Sequence, residues 1–231
     1  MTATSGALRP SDLKPMPYGR AHAGNIRNGI WEPLWAGRRS LVDVFGNDVG
    51  IRDEAGDPLE GFELLRAAIV EAARATELVL DGYLLPAPLQ DTAGLDSIPG
   101  IESIPSAAEM GRQLLVGGSG QTRRAEIEAD HSRRVDLRAN SPTAFVAVDL
   151  LWLDGEPLVD VPLAERKRLL DTVLLDGEVV RKTVSVRPPV EAWYAQWRAL
   201  GFREVAVKGA NSRYTPGRAH PEWATALIPR R

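Results

Sequence analysis

The apolar positions of this chain fall into strand-like runs and helix-like stripes. Leu41 to Phe45 reads as a strand, Gly46-Asn47-Asp48 supplies turn residues, and Val49 to Arg52 returns, which predicts a hairpin. Between Glu60 and Ala75 the apolar residues are Leu64, Leu65, Ala68, Ile69 and Ala72, a spacing near 3.6 that predicts an amphipathic helix. Glu77 to Leu85 reads as a strand, stopped by Pro86 and Pro88. Residues 86–105 hold four prolines and read as loop. Ser106 and Glu109 have the spacing of a capping box, so a short helix is expected from there to Val116, ended by Gly117-Gly118-Ser119-Gly120. Thr143 to Leu153 is a continuous apolar run of the kind buried strands show. Pro162 suits the first turn of a helix running through Leu174, Val184 to Arg187 reads as a short strand, and Val190 to Leu200 reads as a helix closed by Gly201. Arg203 to Lys208 and Trp223 to Ile228 read as the last two strands. Residues 1–29 are rich in Gly, Pro and Asn without a period, and are expected to form an extended or poorly ordered arm ahead of a domain spanning 30–231. The fold class expected is α+β, with antiparallel sheets flanked by helices on their outer faces.

Composition narrows the chemistry. The 231 residues carry a net charge of −3, so no global field draws the chain to nucleic acid, and any such contact needs a local basic patch. Arginine outnumbers lysine, with only Lys14, Lys167, Lys182 and Lys208 present; this and the abundant alanine resemble the output of a GC-rich bacterial genome. Cysteine is absent, which excludes disulfides, thiolate chemistry and Cys-based metal sites and fits a cytoplasmic protein. No apolar run is long enough to cross a membrane and no signal-peptide core is present, so no membrane partner is expected.

Five segments in order carry a resemblance. Residues 32–39 read Glu-Pro-Leu-Trp-Ala-Gly-Arg-Arg; Arg52 is followed by a turn at Gly56; residues 80–84 read Leu-Asp-Gly-Tyr-Leu. Residues 145–155 read Phe-Val-Ala-Val-Asp-Leu-Leu-Trp-Leu-Asp-Gly and run on to Pro162-Leu163 and Arg166. Val205 to Arg218 supplies Lys208, Ser212, Tyr214, Pro216, Gly217 and Arg218. Together they resemble the nucleotidyltransferase (adenylation) domain of ATP-dependent DNA ligases of the bacterial repair type, including those attached to end-joining polymerases. The resemblance implies the fold shared by DNA ligases and mRNA capping enzymes, which is ATP-grasp-like. It implies ATP and Mg²⁺ as candidate ligands, and nucleic acid or a DNA-repair protein as candidate partners. An OB-fold domain normally follows in the family; few residues remain after Ile228, so it is expected to be missing here.

The departures fall on chemistry. The family's first motif places a lysine at position 34, whose amine attacks the α-phosphate of ATP; Leu34 has no nucleophilic atom. Ala36 stands where the motif has an acid, Tyr83 where it has a glutamate beside ribose and metal, Val148 where an aromatic stacks on adenine, and Arg203 where a metal-side glutamate belongs. Thr225 and Leu227 replace two phosphate-binding lysines. No catalytic residue and no metal ligand is therefore assigned. Glu204 neighbours Arg203, but a one-residue shift along a strand turns a side chain to the other face. Loss of a nucleophile alone costs up to ~10⁶ in rate, and loss of both acids removes the expected hold on Mg²⁺. The positions kept, such as Gly37, Gly82, Asp149 and Gly217, mostly shape the backbone.

The resemblance leaves Arg39, Arg52 and Lys208 as candidate nucleotide-binding residues, forming with Arg203 a cationic cluster in the old cleft; the alternative is ordinary ion pairing with nearby acids. Leu34, Trp35 and Val148 make the cleft more apolar, which favours a cleft filled by packing over a new ligand site. The basic run from Arg123 to Arg138 is interleaved with acids and reads as a solvated face. The three histidines have no metal-ligand spacing, and Trp193 with Trp197 reads as core or as a partner groove. The function expected is an ATP-dependent DNA ligase family domain that has lost catalysis and serves as a nucleotide-, nucleic-acid- or protein-binding accessory in DNA repair. The alternatives are residual noncovalent nucleotide chemistry, or an active ligase or adenylyltransferase working from a non-standard lysine.

Overall fold

The computed structural model describes residues 8–87 and 143–229. The helix expected at Ser106–Val116, the glycine stretch 117–120 and the basic run 123–138 lie outside the described residues. The elements, in order, are β1 (Gly29–Pro33), β2 (Arg38–Phe45), β3 (Asp48–Asp53), α1 (Glu63–Ala72), β4 (Glu77–Pro86) and β5 (Thr143–Leu153). After them come β6 (Glu156–Pro157), α2 (Leu163–Val173), β7 (Val180–Lys182), α3 (Glu191–Ala199), β8 (Glu204–Gly209) and β9 (Trp223–Leu227). A six-stranded sheet has the order β3-β2-β4-β5-β6, with β7 pairing parallel to β5; a three-stranded antiparallel sheet has the order β1-β8-β9. The class is α+β, as the mixture of periods implied.

β4 and β5 are buried on both faces, which is why their sequences run apolar instead of alternating. One face of the large sheet (Val42, Val44, Leu78, Leu80, Leu84, Phe145, Ala147) packs against Leu65, Ile69 and Ala72 of α1 and Leu170 and Val173 of α2. The other face joins Leu41, Val79 and Leu151 to Leu13, Met16, Tyr214 and Trp223. β5 carries two register shifts against β4. Gly82 pairs with Ala147 while Asp81 pairs with Asp149, so Val148 bulges out of the ladder, and Leu151 does the same between Leu150 and Trp152. Gly82 permits the close approach of these strands: a Cβ there would lie 2.4 Å from Phe145 Cζ and 2.4 Å from the Val146 carbonyl oxygen.

Three expectations need correction. The helix after the hairpin begins only at Glu63, because Gly61 and Phe62 hold positive φ of 85° and 71°. Leu64, counted on its apolar face, is 88% exposed; the inward stripe is Leu65, Ile69 and Ala72. The short strand expected at Val184–Arg187 forms instead at Val180–Lys182, where buried Val180 inserts beside Phe145, and Val186 makes one bridge to Trp31. Residues 8–28 have no period because single side chains anchor them. Leu13 and Met16 are buried, and the Arg52 guanidinium donates to the carbonyls of Leu13 (3.0 Å) and Pro10 (3.1 Å).

Candidate functional site

The ladder places Asp81 of β4 directly opposite Asp149 of β5, both fully buried. Two buried carboxylates side by side repel unless each is matched. Arg39, one strand over on β2, donates through Nε and Nη2 to Asp81, both at 2.5 Å. Arg166 of α2 donates to Asp149 at 2.9 Å and 2.7 Å. Both are bidentate pairs, the strongest geometry for a carboxylate. The Tyr214 hydroxyl donates to Asp81 (2.7 Å) and accepts from the Met16 amide (2.7 Å). The remaining Arg39 nitrogen, Nη1, donates to the Tyr83 hydroxyl at 2.7 Å, and the guanidinium lies 4.9 Å from the Tyr83 ring centre. Burial opposes the Arg39 charge, but Asp81 outweighs it and holds the group well above its usual value; burial pushes the Tyr83 hydroxyl far up.

Leu34 stands in the link from β1 to β2, its amide bonded to the Glu204 carbonyl at 3.0 Å. Its side chain packs into an apolar cluster of Trp35, Tyr83, Leu85, Ala144, Val146 and Val148, edged by Phe202. Trp35 is fixed within it by an indole hydrogen bond to Thr183 Oγ1 (2.9 Å) and by edge contact with Phe202, ring centres 5.0 Å apart. The cleft at Leu34 is thus packed with side chains, as its apolar residues implied.

On the small sheet, Glu32 of β1 is buried between two lysines. Lys208 of β8 donates to its Oε2 at 2.7 Å, Lys167 of α2 contacts its Oε1, and Ser185 donates to the same oxygen at 2.9 Å. Burial would raise the Glu32 carboxyl, yet Lys167 and Lys208 outweigh it and hold it at about 2. Burial lowers the Lys167 ammonium from its usual value, only partly offset by Glu32, and Lys208 lowers it further. The Lys208 ammonium also lies 4.5 Å from the Trp223 ring centre.

The four residues expected to share a cationic cluster are engaged separately. Arg39 is committed to Asp81 and Lys208 to Glu32; Arg52 holds Asp43 at 2.6 Å and 2.8 Å together with the arm carbonyls; Arg203 is exposed beside β8. Pairing with acids is what the geometry shows for the first three. Ala36, Thr225 and Leu227 are exposed. A phenol at Tyr83 and a guanidinium at Arg203 do not ligate Mg²⁺, and no group of three or more His, Asp or Glu is gathered for a metal among the described residues. The residues at the cleft therefore do not fit a nucleotide-bound magnesium. Sequence reasoning missed Arg166 and Lys167 as partners. A signal was present: Leu163, Arg166, Leu170 and Val173 share one stripe, so Arg166 is a charge on an apolar face. Nothing in the periodicity pointed to Lys167.

A family model described as ATP dependent DNA ligase domain matches residues 117–225. The multifunctional non-homologous end joining protein LigD of Mycolicibacterium smegmatis is 25% identical over 221 residues, which is 93% of this chain and 24% of that protein. A probable DNA ligase of Beutenbergia cavernae is 31% identical over 144 residues, 57% of this chain and 28% of that protein. The chain resembles the ATP-dependent DNA ligase family in sequence and in fold. Its fold matches that of a mycobacterial DNA ligase D solved in complex with ATP and MES, with a TM-score of 0.62, 22% identity, and coverage of 94% of this chain and 61% of that one. The chain spans about a quarter of these two curated relatives. Among its described residues no helix is long and apolar enough to cross a membrane.

Proposed function

We propose that this ligase-family domain no longer forms a covalent nucleotide adduct and serves as an accessory binding module, with a nucleic acid or a DNA-repair protein as its partner. One observation carries the reading. Leu34, at the position of the family's nucleophile, is packed against an apolar cluster that includes Trp35, Tyr83 and Val148, so the reactive group is replaced within apolar surroundings. The lysines that remain offer no substitute. Lys208 is fully buried against Glu32, Lys167 contacts the same carboxylate, Lys182 donates to the Leu174 carbonyl (2.6 Å), and Lys14 is exposed on the arm. Asp81 and Asp149 are each neutralised by an arginine, which leaves neither of them to hold Mg²⁺ against a triphosphate.

The test is incubation with α-labelled ATP, and separately GTP, in Mg²⁺ or Mn²⁺, followed by denaturation. No stoichiometric label is expected, and Leu34→Lys is expected to stay unlabelled because its surroundings have changed as well. A stoichiometric adduct on the unmodified protein overturns the proposal and moves the chain to an active adenylyltransferase with a non-standard lysine. A nucleotide-dependent rise in melting temperature without a label fits a module that retains the nucleotide as a ligand. Repair, a cytoplasmic setting and a bacterial source are the context this reading supplies.

A further inference from the structure

Away from the packed cleft, a depression of about 230 Å³ opens between α2 and the segment leading to α3, lined by Ile30, Lys167, Arg168, Asp171, Ser185 and Arg187 among others. Its charges do not balance. Lys167, Lys208, Arg168 and Arg187 set four positive charges in and beneath it against the three negative charges of Glu32, Glu165 and Asp171. Glu165 is taken up by Arg168, and one carboxylate, Glu32, serves two lysines. An ammonium has three donors. That of Lys167 meets Glu32 and finds no further acceptor among the described residues, although its nitrogen is buried. Arg187 is exposed on the rim, and among the described residues its side chain donates to the Asn28 amide oxygen alone, at 3.3 Å.

We propose that this depression binds a small oxyanion of the phosphate type, held by Lys167 and Arg187. One negative charge removes the local excess and supplies acceptors that the protein lacks. The guanidinium of Arg187 suits bidentate contact with a tetrahedral oxyanion. Asp171 on the same wall selects further: it accepts from an oxygen that still carries a proton, which a phosphate has near neutral pH and sulfate does not. The depression is open and small, a size that suits a free phosphate rather than a nucleotide. The lowered Lys167 pKa agrees: burial lowers it, Glu32 only partly offsets that, and Lys208 lowers it further. The site is separate from the cleft at Leu34 and stands whether or not that cleft has lost adenylation.

Titration calorimetry of the whole chain with inorganic phosphate tests the proposal, with sulfate at matched ionic strength as the comparison. Saturable one-site binding is expected, tighter for phosphate than for sulfate. Arg187→Gln and Lys167→Met are each expected to weaken it about tenfold or more, as loss of a charged hydrogen-bond donor does. Lys167→Met leaves Glu32 and Lys208 as a one-to-one pair and is expected to fold; Arg187 is exposed, so its variant answers the question even if the other does not. Arg203→Gln, beside β8, is expected to bind as the unaltered protein does. Absence of a saturable heat, unchanged affinity in Arg187→Gln, or equal affinity for sulfate overturns the proposal.

Discussion

Glu32 shows how a single buried charge can be held in place by its partners. Among the described residues its carboxylate is the one ion-pair partner of two buried ammonium groups, so its charge is needed by the fold. The folded carboxyl sits at about 2, below its ordinary 4.5. A depressed carboxyl contributes stability that is complete above the unfolded value and is lost as pH falls through the folded one. Glu32→Gln is therefore expected to lower stability by about 3 kcal/mol near neutral pH, read from urea midpoints. The deficit should narrow between about pH 4.5 and about 2, where the unaltered protein protonates the same group. A deficit constant with pH would show that the carboxylate charge is not what matters. Arg39 and Asp81 follow the same logic. Sequence comparison flagged Arg39 as a phosphate contact, whereas the folded chain binds it at 2.5 Å to a carboxylate from another motif. No pattern along one strand reveals such a pair, because the partners are 42 residues apart and meet only through ladder register.

At the scale of elements, strands were more legible than helix ends. β5 occupies Thr143–Leu153, the apolar run itself, because a strand buried on both faces leaves its signature at every position. α1 was harder: two residues with positive φ delay its start, and that backbone conformation has no hydrophobic period to announce it. β7 was misplaced because three residues paired with a neighbouring strand are too few to show a period. The contact between β4 and β5 gives a test at this scale. Gly82→Ala must push against the Val146 carbonyl and the Phe145 ring, and is expected to fall at the top of the ~1–3 kcal/mol range for overpacking. Gly50→Ala, where the nearest atom is 3.6 Å from a new Cβ, should stay within about 0.5 kcal/mol. Equal urea midpoints for the two variants would refute the close-approach role of Gly82. That role gives the backbone a need for glycine at position 82 that is independent of any catalysis.

Across the whole molecule, residues 8–28 tie the two sheets together, a role invisible in their composition. Leu13 and Met16 share a core with Leu41, Val79 and Leu151 of the large sheet and Trp223 of the small one. Leu13→Ala is expected to cost about 2–5 kcal/mol, like other buried leucines, and to lower the thermal midpoint of the entire domain in a single transition. A second transition would mean that the sheets unfold independently. Packing across both sheets thus holds the frame together, while single side chains can stand outside the ladder pairing. Val148 is the clearest case. It has no partner across the β4–β5 ladder, since Gly82 pairs with Ala147 and Asp81 with Asp149. Exchanging the side chain at 148 therefore leaves every interstrand hydrogen bond of that ladder in place. A change of side chain there is felt by the apolar cluster beside Leu34, and not by the pairing of β4 with β5.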